Sequence, residues 1–142
     1  MTDILLDAST PQSNSNKQIV RRFFEEAFNN RNIAIVDELI APDFINHNAS
    51  FKVRGIEGVK RSIAAQFEAF PDIHTTIEDL ISERDKVVVR ARDRFTRPTD
   101  GKLVELTWIE ILRLENGKLA EAWVEADMSA FLPQVNEVLN KK

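Results

Sequence analysis

The hydrophobic period of this chain changes once, near Ile73, and that change dictates the order of its elements. Upstream, apolar residues recur at helical spacing. Ile19, Val20, Phe23, Phe24, Ala27 and Phe28 share one face, and Ser15 or Asn16 is placed to cap the start. A shorter helix is predicted over Ile33 to Ile40 with Asn32 as its cap, ended by Pro42, and a third over Ile56 to Phe70, closed by Pro71. Downstream the period is two. Ile73, Thr75, Ile77 and Ile81 alternate with polar residues. Residues 86 to 96 place Val87, Val89, Ala91 and Phe95 on one face and Arg90, Arg92 and Arg94 on the other. Leu103 to Leu114 and Lys118 to Asp127 complete four strands, separated by the turn residues Asp100-Gly101 and Asn116-Gly117. A last helix from Met128 is weakened by Pro133. Helices followed by an antiparallel meander give an α+β fold, with about three N-terminal helices packed on one face of a strongly curved sheet. Residues 1–14 read as a mobile tail and 15–142 as a single domain.

With 142 residues the chain buries roughly two-thirds of its unfolded surface, enough for a core without staples. It has no cysteine, which excludes disulfides, thiol nucleophiles and Cys-ligated metals. Its two histidines are far apart and no helix carries a metal-ligand spacing, so no metal is expected. The net charge of −4 argues against a nucleic-acid partner. No apolar run is long enough for a membrane span, and acidic residues stand where a signal peptide would be basic. Both point to a cytoplasmic protein. A curved sheet closed by helices makes a cone whose interior suits a small apolar molecule.

Ordered pieces of the chain resemble the SnoaL-like polyketide cyclase family. They are residues 19–29, Asp37 to His47, Gly55-Ile56-Glu57-Gly58-Val59-Lys60, Phe70-Pro71-Asp72, Thr76 to Ile81, Asp85 to Arg90, Gly117-Lys118-Leu119, and Glu121-Ala122-Trp123 followed by Asp127. The resemblance implies the nuclear transport factor two-like cone. It also implies homo-oligomers, dimers or tetramers built on the sheet's outer face, and ring closure of an aromatic polyketide by intramolecular aldol condensation without a cofactor. Isomerases, dehydratases and epoxide hydrolases share this fold. One departure is clear: where many members carry a Gly-Thr-His element, this chain has Arg94-Phe95-Thr96-Arg97-Pro98-Thr99-Asp100-Gly101.

The resemblance carries the acid/base aspartate onto Asp127, against which stands a cap for the helix at Met128. It places a pocket histidine at His47, as a donor to substrate or a partner for Asp127, although a histidine beside a helix end is as often structural. Trp108 and Trp123 are candidate flat walls, Phe51 a lid, and Asn46, Glu125 and Glu110 further polar contacts. His74 reads as surface, and Arg90, Arg92 and Arg94 as a face paired with glutamates such as Glu105 and Glu121. Epoxide hydrolysis would ask Asp127, Asn46 and Arg92 to surround one water. The alternative from another class is a non-catalytic module that binds or senses a hydrophobic ligand.

Overall fold

The computed structural model describes residues 10–48 and 52–140, with side chains described through residue 135. Helix α1 spans Pro11–Arg22 and runs directly into a wider π-helical segment, Phe23–Asn29. A 3-10 turn, Ile33–Ile35, leads into the single-turn helix α2, Val36–Leu39. Strands β1 (Ile40–Asn46) and β2 (Val53–Arg54) precede helix α3 (Gly55–Ala69). Strands β3 (His74–Glu83), β4 (Lys86–Thr96), β5 (Leu103–Glu115) and β6 (Lys118–Ala126) form the meander, and helix α4 spans Met128–Asn140. The six strands make one sheet in the order β2-β1-β6-β5-β4-β3.

The helices and the four-strand meander come in the predicted order, but two further strands, β1 and β2, stand before α3, and two helix boundaries differ, each for a local reason. Helix α1 begins at Pro11 rather than near Asn16, because Thr10 is the cap, its hydroxyl accepting from the Ser13 N–H at 3.0 Å. Ser13 and Asn16 are buried there, donating to the backbone carbonyls of Ser82 and Arg84 at the β3–β4 turn. The second helix stops at Leu39, and Ile40 already belongs to a strand that continues through Pro42. That strand makes the sheet mixed rather than purely antiparallel: β1 runs parallel to β6. Pro42 is tolerated because the ladder is irregular between Ile40 and Ile45. Pro133 does not prevent α4, which runs through it.

Register irregularities in β1–β6, β3–β4 and β5–β6 bend the sheet so that one face is concave. The concave face holds Val87, Val89, Ala91, Phe95, Val104, Trp108, Leu112 and Ala122. Val20, Phe24, Ala27 and Phe28 close on it from the first helix, and Val59 and Ile63 from α3. Among the described residues no helix is long and apolar enough to cross a membrane.

Gly55 opens α3 with φ of +69°, and a Cβ there would sit 3.3 Å from the Pro42 carbonyl oxygen of β1. Both the left-handed backbone and the close approach demand glycine. Gly55→Ala is expected to lower the unfolding free energy by about 1–3 kcal/mol in urea denaturation; an unchanged midpoint would contradict this packing.

Candidate functional site

Strand alternation sorts every candidate side chain onto one of the two faces of the sheet. Paired residues point the same way, so Asn46 shares the inner face with its partner Ala122, and Ala122 with Leu112. Glu110 pairs with Val89 and Val124, Trp108 with Ala91 and Ala126, and Asp93 with Thr75 and Leu106. The inner face therefore carries, in an apolar setting, the carboxyls of Glu110 and Asp93, the indole of Trp108 and the amide of Asn46.

Glu110 is 8% exposed and makes no hydrogen bond to another described residue. Burial first, and the nearby charge of Asp93 second, push its carboxyl up from 4.5 to about 8. It therefore carries its proton at neutral pH. Asp93 is partly buried and better supported, because the Thr75 hydroxyl donates to its Oδ1 at 2.6 Å. Burial pushes its carboxyl up as well, offset in part by Thr75, by the Trp108 indole and by the charge of His74. Thr75 is itself held in place: the Asn29 amide, at the end of the π-helical segment, donates to the Thr75 carbonyl at 2.8 Å and accepts from its N–H at 2.9 Å.

The Trp108 ring packs against Phe24 with centroids 5.3 Å apart. Its Nε1 is buried; it lies close enough to Asp93 to bear on that carboxyl's pKa, yet no acceptor stands at hydrogen-bonding geometry. Asn46 Oδ1 is likewise buried without a partner. A third buried atom without a hydrogen bond among the described residues, Arg92 Nε, lies on the outer face; the two on the inner face are candidates for ligand contact, since buried polar atoms are normally paired.

The predicted site residues divide between the faces. Trp108, Asn46 and Glu110 are inside. Trp123 and Glu125 leave β6 on the opposite side from Ala122 and Val124 and are exposed, so the two tryptophans do not form one pair of walls. His47 stacks on Trp123 with ring centroids 5.4 Å apart, and its Nε2 lies 2.7 Å from Glu121. Glu121 also accepts from Arg113 at 2.9 Å, which together with His47 holds its carboxyl below the usual range. His47 thus belongs to an outer-face network and makes no hydrogen bond to Asp127.

Asp127 is exposed. Its Oδ1 accepts from the Ser129 hydroxyl at 2.9 Å and the Ala130 N–H at 3.1 Å, which is the cap geometry for α4. The arginine row lies outside too: Arg90 pairs with Asp79, Arg92 with Glu78 and Glu105, and Arg94 with Glu105. Glu105 is a partner as expected, whereas Glu121 serves Arg113 instead. With Asp127 spent in a cap, Asn46 inside and Arg92 outside, the three-residue epoxide constellation is not assembled. His74 is exposed, and Phe51 lies outside the described residues. No group of three or more His, Cys, Asp or Glu side chains among the described residues is arranged to hold a metal ion.

Sequence reasoning missed Asp93, Thr75 and Asn29 as parts of a site. The signal was present: Asp93 falls in the same alternation as Val87, Val89, Ala91 and Phe95, so a carboxylate interrupts an otherwise apolar inward face.

Comparison with known proteins matches this geometry to a family. A search of curated proteins found no match. Among solved structures, IdmH of Streptomyces antibioticus, a candidate polyketide cyclase, is 25% identical with a TM-score of 0.75, over 85% of this chain and 98% of that one. A candidate polyketide cyclase from Bacillus cereus is 25% identical with a TM-score of 0.79, over 92% of this chain and 87% of that one. An epoxide hydrolase of the LEH-like type from M. tuberculosis has the same fold at 15% identity, with a TM-score of 0.75 over 91% of this chain and 95% of that one. The family model for SnoaL-like polyketide cyclases matches residues 18–135, and the chain belongs to that family.

Proposed function

We propose that this protein is a cofactor-independent acid/base enzyme acting on a largely apolar carbonyl compound, in the manner of an aldol ring closure, at the inner face of its sheet. The observation that carries this reading is the placement of two carboxyls, Asp93 and Glu110, on an apolar concave face. An aldol closure needs a base for the hydrogen beside a carbonyl and a donor for the oxygen that becomes negative. A carboxyl whose surroundings keep it neutral at pH 7 donates; a second carboxyl in its ionised form accepts. The cap at the exposed end of β6 favours a structural role for Asp127, and the inner pair takes the role that family resemblance assigns to it.

The outer face supports a second reading, as an assembly surface. Ile81, Val88, Ile111 and Trp123 are register partners in one straight row across four strands. Three of them are exposed, Ile81 by 61%. Ion pairs flank the row, Arg113 with Glu121 on one side and Arg90 with Asp79 on the other. A contiguous apolar row of this kind is rarely left to water in a monomer, and a second copy offers an identical row across a two-fold axis.

Three outcomes test these readings. Asp93→Asn is expected to slow turnover of aromatic polyketide esters about 100- to 10,000-fold in an absorbance assay, while Asp127→Ala keeps most activity and loses about 1 kcal/mol of stability; the reverse pattern returns the catalytic role to Asp127. Between pH 4.5 and 8 the unfolded chain has released the Glu110 proton and the folded protein has not, so stability falls as pH rises through that window. Glu110→Gln should remove this dependence and gain on the order of a few kcal/mol relative to the parent at pH 8, with little gain at pH 4, measured by urea denaturation. Ile111→Lys should convert an oligomer to monomer in light scattering; a parent that is already monomeric contradicts the surface assignment.

A further inference from the structure

Two hydrogen-bond donors stand unused side by side on the inner face of β5. Trp108 and Glu110 are two residues apart on one strand, so their side chains leave the same face with Cα atoms about 7 Å apart. The Trp108 indole is fixed by Phe24, and its Nε1 has no partner at hydrogen-bonding geometry. An indole N–H only donates, so an acceptor must complete it. Glu110, protonated at neutral pH, also makes no hydrogen bond and offers an O–H beside it. One oxygen bearing negative charge satisfies both.

Asp93 stands next to the same indole. Its carboxylate is oriented by the Thr75 hydroxyl, and Thr75 is clamped by Asn29. A proton acceptor and two donors therefore gather around Trp108. Register sets Asp93 opposite Leu106 and Glu110 opposite Val89, so Trp108 stands between base and acid; in a ketone the removable hydrogen and the carbonyl oxygen are separated by two carbon atoms, and a carbonyl compound lying along the indole would present one to each.

We propose that Trp108 and Glu110 together bind the oxygen of an enolate, and that Asp93 is the base that generates the enolate from a ketone. This rests on the acid/base reading above and names the groups that make it work. The Asp93 carboxylate takes a hydrogen from the carbon beside the carbonyl, and the C–H electron pair becomes the new C=C bond. The carbonyl π pair moves onto oxygen, which accepts from the Trp108 N–H and the Glu110 O–H. Protonation of that carbon by Asp93 returns the ketone; attack of the carbon on a second carbonyl of the same molecule forms the C–C bond, and the resulting alkoxide takes the proton from Asp93. Both donors are fixed before reaction, so they stabilise the charge as it develops.

The test uses 2-tetralone, a bicyclic ketone with exchangeable hydrogens beside its carbonyl, in deuterated buffer, with exchange followed by proton NMR. The full-length protein is expected to accelerate exchange over buffer alone, and Asp93→Asn to abolish that acceleration. Trp108→Phe, which keeps the ring and deletes the N–H, should slow exchange about 100-fold, and Glu110→Leu similarly. Glu110→Gln, whose amide restores a donor, should recover most of what the leucine variant loses. Exchange at the parent rate in folded Trp108→Phe, or equal loss in the glutamine and leucine variants, overturns the enolate pair while leaving an acid/base enzyme standing. Binding of 2-tetralone without exchange by the parent overturns both readings and makes the protein a ligand-binding module.

Discussion

A carboxyl group placed inside an apolar sheet must either find a counter-charge or keep its proton, and that constraint organises the inner face of this protein. Among the described residues none gives Glu110 a counter-charge or a hydrogen bond, so desolvation and the neighbouring charge of Asp93 hold its proton on at neutral pH. Asp93 has the Thr75 hydroxyl and the Trp108 indole near it, which make its ionised form easier to keep. Burial pushes both acids toward the protonated form, but only Asp93 has neighbours that pull against it. Their difference comes from neighbours on β3 and β5 and from the π-helical end of the first helix, which anchors Thr75 through Asn29.

Much of the fold was legible in the chain because each element carries a strong period. The helical stripe from Ile19 to Phe28 and the stripe from Val59 to Phe70 lie in helices, and the four long strands fall where alternation places them. Strand β1 was harder to read. Its residues 40–46 contain a proline and lack clean alternation, and its parallel partner β6 is some eighty residues away in the chain. Long-range pairing of that kind leaves no local trace.

The site was legible only in part. Trp108 and Asn46 were identified and do face inward, with polar atoms that no described side chain satisfies. His47, Trp123 and Glu125 were expected beside them and stand on the outer face, since a residue's face follows from strand phase and the phase of β1 depends on its pairing with β6. Asp93 was overlooked because the surrounding arginines made its strand look polar on one face and apolar on the other. An aspartate in the apolar phase costs several kcal/mol of desolvation unless it is supported. Such a misfit is more informative about function than the stripe it interrupts.

The two faces of the sheet thus differ in chemistry: the inner one carries two carboxyls in an apolar setting, and the outer one is apolar along a single row and flanked by ion pairs on either side. The claim on which the inner face depends is the protonation of Glu110. A carbon-13 NMR titration of glutamate-labelled protein, with the Glu110 carboxyl assigned by its loss in Glu110→Gln, measures it directly. The account predicts a carboxyl that titrates near 8. A Glu110 signal that titrates near 4.5 would contradict it.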